Sequence, residues 1–308
     1  MIRSRAVVMA IALTTAFTVA TGTSQAASGT IRSLIPWDEQ TVFALVPDRS
    51  YVAEWNGPGA GWTVIGGPAS AVYAGSAGVF ATDPSNSAIW MYNGTPNSWT
   101  KIGGPGYLFA EGGGHLYGIG PDLSYVTEWN GTATGGWTII GGQAALIAAG
   151  PAGMVRQTTD NGGEALLYNG TPGSWTKIGG DSDNVLVGNA IYRTDLNDED
   201  VEQWTGGTSW ETIYAGGAGA GVSLDVAGPA GLFLMSHLTF DLEYNGTPFS
   251  WTPISDNNQY VAAVSRTMVY GVTRGSSGDV TNVDLYSPSS NTWTTIGGPA
   301  YMVLGAGD

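Results

Sequence analysis

The stretch YNGTPNSWTKIGG at residues 92–104 returns as YNGTPGSWTKIGG at 168–180, with one change, and as YNGTPFSWT at 244–252. A chain that rebuilds one motif at a fixed period is made of units that cannot bury their apolar faces alone and must stack on copies of themselves. Aligned on the tryptophan that opens W-[TE]-x-I, the units fall at Trp62, Trp99, Trp137, Trp175, Trp210, Trp251 and Trp293, with spacings of 37, 38, 38, 35, 41 and 42 residues. Seven units follow, and any fold for this chain must hold all of them equivalently.

Each unit contains four short runs. In the second these are AVYAG (71–75), GVFAT (78–82), IWMYNG (89–94) and WTKIGG (99–104). Runs of four to six residues bounded by Gly, Pro, Asn or Asp have the length and punctuation of strands. The Asn-Gly that ends the third run tolerates positive φ and predicts a tight hairpin into the tryptophan run. Four antiparallel strands make one propeller blade, and repeating blades around a ring removes most exposed sheet edges. The predicted fold is all-β, a seven-bladed β-propeller of four-stranded antiparallel blades. The Ala- and Gly-rich first runs suit the crowded innermost position.

A longer period of about 75 residues is also present: YVAEWNG at 51–57 matches YVTEWNG at 125–131, and the YNGTP copies fall between them. Odd units carry Trp55, Trp129 and Trp204 where even units carry Tyr92, Tyr168 and Tyr244, and the seventh carries Tyr286. Two terminal segments, 31–36 and 301–306, both read as innermost strands, giving eight candidates for seven places. The C-terminal one is expected to close the ring.

Residues 1–26 carry Arg3 and Arg5, an apolar run from Ala6 to Ala20 and a terminal Ser24-Gln25-Ala26. This reads as a cleaved export signal followed by a single propeller domain over 27–308. The apolar run is shorter than a bilayer span and contains several threonines, and no later segment could span a membrane. The expected location is extracellular. Without the signal, 8 basic residues face 25 acidic ones, a formal charge of −17. Nucleic acid and anionic lipid are thereby disfavoured as partners, since affinity for phosphate backbones rests on Lys and Arg. With no cysteine, an exported chain of this kind must be held by packing alone. A monomer is expected.

The runs W-T-x-I-G-G-P, AVYAGSAGVFA and the closing Y-N-G resemble the tectonin and tachylectin group of β-propeller repeats, and also the repeat modules of exported actinobacterial proteins. The resemblance covers nearly all of residues 27–308. One departure is plain: tectonin-type repeats commonly place Trp in the second strand, where this chain has Phe80, Tyr117, Val155, Tyr192, Phe233 and Tyr270. The resemblance implies a non-catalytic lectin that binds surface glycans at repeated shallow sites. A sugar needs an aromatic plate beside amide or carboxylate groups, and the expected carbohydrate-binding residues are Trp55, Asn56, Tyr92, Asn93, Trp129, Asn130, Tyr168, Asn169, Tyr244 and Asn245. Trp90 shares the face of Tyr92 by strand alternation. Several weak sites on one ring would gain avidity. Against this stand bland readings of the same residues: the W-[TE]-x-I tryptophans pack between blades, the third-strand aromatics do likewise, and each Asn only forms its turn.

No enzyme signature is present. A copper radical oxidase needs a cysteine cross-link, and the sialidase boxes are reduced to SSNTW at 289–293. His115 and His237 are single histidines without ligand spacing, read as structural. The acidic run 194–202, with Asp195, Asn197, Asp198, Glu199 and Asp200, offers oxygens for calcium, but Asp200 stands where an EF-hand needs Gly. It reads as a solvated loop, and no cofactor or metal is expected. Two rivals to the lectin remain open: a protein-interaction scaffold or targeting subunit of a secreted assembly, and a glycan-processing enzyme with a carboxylate pair in the channel, which only geometry can reveal.

Overall fold

The seven W-[TE]-x-I units become the outermost strands of seven four-stranded antiparallel sheets in the computed structural model. It describes residues 41–305 except 133–135, 160–162, 181, 218–220, 237–239, 256–258, 266 and 276–279. The expected signal, segment 31–36 and His237 lie outside the described residues.

Blade two shows the plan: β4 (Ala71–Gly75), β5 (Gly78–Thr82), β6 (Ala88–Tyr92) and β7 (Trp99–Pro105) pair in chain order. Blade three runs from β8 (Leu108–Gly112) through β9 (His115–Ile119) and β10 (Val126–Trp129) to β11 (Trp137–Gly141). Blades four, five, six and seven repeat it with β12–β15 (146–179), β16–β19 (185–215), β20–β23 (222–253) and β24–β27 (259–297). Blade one is composite: β28 (Met302–Gly305) takes the innermost place beside β1 (Val42–Leu45), β2 (Val52–Trp55) and β3 (Trp62–Gly66). The C-terminal strand therefore closes the ring, in register from Val42 opposite Gly305 to Leu45 opposite Met302.

The apolar core is divided among seven clusters, one at each blade interface. Phe80 of blade two meets Trp129 of blade three edge-on at 5.6 Å, and Tyr270 of blade seven meets Trp55 of blade one at 6.2 Å. Edge-to-face geometry suits the ring quadrupoles. The second-strand aromatics that depart from the tectonin pattern thus supply the surface on which the next blade's third strand packs.

The tryptophans of the outermost strands complete each interface. Every one donates its indole N–H to the carbonyl of the motif isoleucine in the preceding blade: Trp99 to Ile65 at 2.8 Å, Trp137 to Ile102 at 3.0 Å, Trp175 to Ile140 at 2.9 Å, and so on around the ring. At five of the seven interfaces a glycine after that isoleucine makes room, Tyr214 and Ser255 standing there in blades five and six; a Cβ on Gly66 would stand 2.8 Å from the Trp99 indole nitrogen. One motif, W-x-x-I-G, is therefore donor, acceptor and seat at once.

At the channel end formed by the turns between first and second strands, neighbouring inner strands approach so closely that a side chain on Gly112 would collide with the backbone of Gly150, and one on Gly150 with that of Val187. The narrow space left has a volume of about 180 Å³ and is lined mostly by Ala, Gly, Val and Pro.

Candidate functional site

The conserved look of Y-N-G-T-P-x-S-W-T within the chain has a mechanical cause. In blade two, Asn93 donates from Nδ2 to Ser98 Oγ at 3.0 Å and accepts from Thr100 Oγ1 at 3.1 Å, so both ends of its amide are used inside the hairpin. Asn169 does the same with Ser174 and Thr176, and Asn245 with Ser250 and Thr252. The variable residue x sits at positive φ and gives its backbone N–H to the preceding blade's isoleucine carbonyl: Asn97 to Ile65 at 2.7 Å, Gly173 to Ile140 at 2.9 Å, Phe249 to Ile213 at 2.8 Å. That carbonyl thus receives two donors from one hairpin.

The other expected site residues are placed as follows. Trp55, Tyr92 and Trp129 are buried at 3, 2 and 7% exposure. Tyr168 and Tyr244 are half-buried and lie against their own blade's tryptophan, with centroids 5.1 and 4.9 Å apart. Asn56 donates to Gly61 O and Thr63 Oγ1, and Asn130 accepts from Thr132. The structure brings these rings to the blade interfaces and gives the amides partners within their own turns.

An open aromatic surface exists one strand alternation away. Trp90 of β6 and Trp99 of β7 line a cleft of about 160 Å³ between blades one and two. The backbone of Gly66, Gly67 and Pro68, which connects the two blades, forms one wall, and Thr82 and Asp83 from the β5–β6 turn form another. Both tryptophans are partly exposed. Among third-strand positions, only blade two has Trp here; the register places Ala53, Thr127 and Leu166 at the equivalent points.

Asp83 is fixed by its own turn, accepting from Ser85 N at 2.8 Å, Ser85 Oγ at 2.6 Å and Asn86 Nδ2 at 3.3 Å. Partial burial works to raise its carboxyl, but these hydrogen bonds outweigh it and hold it below the ordinary aspartate value of 3.8. The cleft therefore keeps a negative acceptor at neutral pH. Asp48 with Ser50 and Asp122 with Ser124 repeat this Asp-x-Ser turn in blades one and three. Sequence reasoning missed the turn, although PDRS, TDPS and PDLS recur at the matching place in consecutive units.

Between blades three and four, the imidazole of His115 lies 2.6 Å from Glu128 Oε1, and Tyr168 donates to Glu128 Oε2 at 3.4 Å. His115 is a surface residue, 53% exposed, and has that carboxylate as its partner. In the acidic run, Asp195 Oδ1 accepts from the backbone of Glu199 and Asp200, closing its own loop. Among the described residues no group of three or more acidic or histidine side chains could hold a metal ion. No helix among them is long and apolar enough to cross a membrane.

No protein-family model and no curated protein sequence matches this chain. Its backbone is similar to solved structures. AztD from Citrobacter koseri superposes with a TM-score of 0.55 in its apo form, at 10% identity over 86% of this chain and 97% of that one. A second AztD structure from the same organism gives 0.54, at 11% identity over 87% and 98%. YCF48 from Cyanidioschyzon merolae gives 0.52, at 10% identity over 77% and 88%. At such identity the likeness concerns architecture alone, and what it and the sheet order establish together is that the chain is a seven-bladed β-propeller.

Proposed function

We propose that this propeller is an exported, non-catalytic carbohydrate-binding protein, and that its best-formed site is the cleft between blades one and two. The observation that carries the reading is the meeting of Trp90 and Trp99 with the ionised Asp83 in one open cleft. A sugar ring presents C–H groups on one face and hydroxyls at its rim, so it takes an aromatic plate and a fixed acceptor together. The cleft is smaller than the pockets of several hundred Å³ that engulf drug-sized ligands. It suits one terminal ring of a glycan rather than a buried oligosaccharide. The resemblance of the repeats to tectonins and the signal-like sequence of residues 1–26 support the same reading.

Glu111 is the one carboxylate lining the channel's narrow end among the described residues, and its Oε1 accepts the Ala77 N–H at 2.6 Å. Glycoside hydrolysis ordinarily needs two facing carboxylates. The rival scaffold reading rests on Val64 and Ile139, 49 and 62% exposed on the outer strands of blades one and three, where blades two and four carry Lys101 and Lys177.

The test is a glycan-array screen of residues 27–308, with free-sugar competition and with Trp90→Ala alongside. Competed binding that the variant loses supports the reading. Silence from a folded protein transfers the search to a protein partner at the outer strands.

A further inference from the structure

Blade six contains two acidic side chains that its apolar surroundings do not explain. Asp225 is the extra residue of a β-bulge in the innermost strand β20 (Val222–Gly228), inserted between the paired positions Leu224 and Val226. A bulge re-aims a side chain out of the regular alternation. Asp241 lies on the third strand β22 (Phe240–Tyr244), fully buried at 0% exposure. Their carboxyl groups are within hydrogen-bonding reach of each other. Asp241 also reaches blade seven, since its Oδ2 accepts the Val261 N–H of β24 (Gln259–Val264) at 2.5 Å, while its backbone N–H donates to Ser255 Oγ at 2.7 Å. Among the described residues, two oxygens remain buried with no donor: Asp225 Oδ2 and Asp241 Oδ1.

A buried, unpaired acceptor is costly, and two anions facing each other in a low-dielectric interior are costlier still. One proton solves both problems, giving a carboxyl O–H that donates to a carboxylate. We propose that Asp225 and Asp241 hold a single proton between them, forming a latch that ties the inner and third strands of blade six to blade seven and releases in alkaline solution. The Val261 N–H stabilises Asp241 as the anionic partner, so Asp225 carries the proton. Among the described residues the charged group of opposite sign facing the pair is Arg274 at the end of β25 (Val269–Arg274), whose guanidinium lies over the Tyr260 ring at 4.9 Å.

The direction of the pH dependence follows. Burial first, and then the neighbouring Asp241, push Asp225 up to about 8, with Arg274 pulling the other way. Burial likewise lifts Asp241 to about 6. An unfolded aspartate titrates near 3.8, so the native state binds more protons than the unfolded state above that pH. The stabilisation is complete below the unfolded value and is lost as pH rises through the folded one. Such a pair titrates as a unit.

The experiment is urea unfolding of the wild-type chain and of Asp225→Asn between about pH 5 and about pH 9, with infrared spectra of the wild type over the same range. Asparagine supplies the donor permanently. The wild-type unfolding constant should rise with pH, by up to about tenfold per unit for one proton, and the variant's curve should be flatter by that proton. A protonated-carboxyl band should persist at neutral pH and vanish in alkali. Parallel stability curves would overturn the latch. Should the variant fail to fold, absence of the infrared band from the wild type at neutral pH would overturn it alone.

Discussion

Trp62 Nε1 donates to the carbonyl of Ile296, 2.7 Å away in space and 234 residues away in sequence. The bond that joins neighbouring blades everywhere else thus also joins the first blade to the seventh. Replacing Trp62 by Phe keeps a ring in place and removes the donor. The expected loss is about 1 kcal/mol, the net worth of a partly buried hydrogen bond, read as a lower urea midpoint with unchanged slope.

The glycine seat beneath Trp99 gives a paired test. Gly66→Ala forces a methyl against the Trp99 indole, whereas Gly67 has nothing within 4 Å of its would-be Cβ. Overpacking of the first kind should cost about 1–3 kcal/mol, and Gly67→Ala should stay within about 0.5 kcal/mol. Thermal melts of the two variants side by side check both.

Phe249 occupies the clamp position x with φ 63° and 65% exposure. Asn97 and Gly173 stand at the matching points in blades two and four. A left-handed backbone costs an ordinary residue roughly 1–2 kcal/mol, and Asn or Gly less. Phe249→Asn should therefore stabilise the protein by about 1 kcal/mol, seen as a higher urea midpoint.

Ring closure depends on β28. Deleting residues 301–308 removes the partner of β1 together with Met302, Val303 and Leu304, which pack in the clusters on either side of blade one. At about 1.5–3 kcal/mol per buried side chain the loss is roughly 5 kcal/mol or more. A fall in Tm of about 10 °C or more should follow in a chain of this size.

Acid should act on a different set of groups. Hydrogen bonds from Ser50 and Ser124 hold Asp48 and Asp122 below the ordinary value of 3.8. Their contribution is present above the unfolded pKa and disappears as pH falls through the lower folded one. Replacing Ser50 and Ser124 by Ala should flatten the acid limb of a stability-against-pH curve and leave its alkaline limb unchanged.

The fold was legible because the most informative residues repeat. Seven tryptophans at near-constant spacing gave blade number, strand order and the packing role of the motif, and the surplus inner strand pointed to closure by the C-terminus. The proposed site was not legible in the same way. Repetition drew attention to Tyr92-Asn93 and its copies, whose side chains are occupied by the clamp and the blade interface. The cleft instead joins Gly66–Pro68, from the repeated W-T-x-I-G-G-P run at one blade's exit, to Asp83 of the Asp-x-Ser turn and Trp90 of the next, and Trp90 matters because it does not repeat. Likewise Asp225 and Asp241 meet only through a bulge, which no alternation pattern in the sequence announces.

The most direct test of the account compares glycan binding by the wild type, Trp90→Ala and Trp129→Phe, each shown to be folded by circular dichroism. The account predicts that the first variant loses competed binding and the second keeps it, because Trp90 is the open plate and Trp129 is a buried wedge. Binding that survives in Trp90→Ala, or a wild-type protein that ignores every glycan, would contradict it.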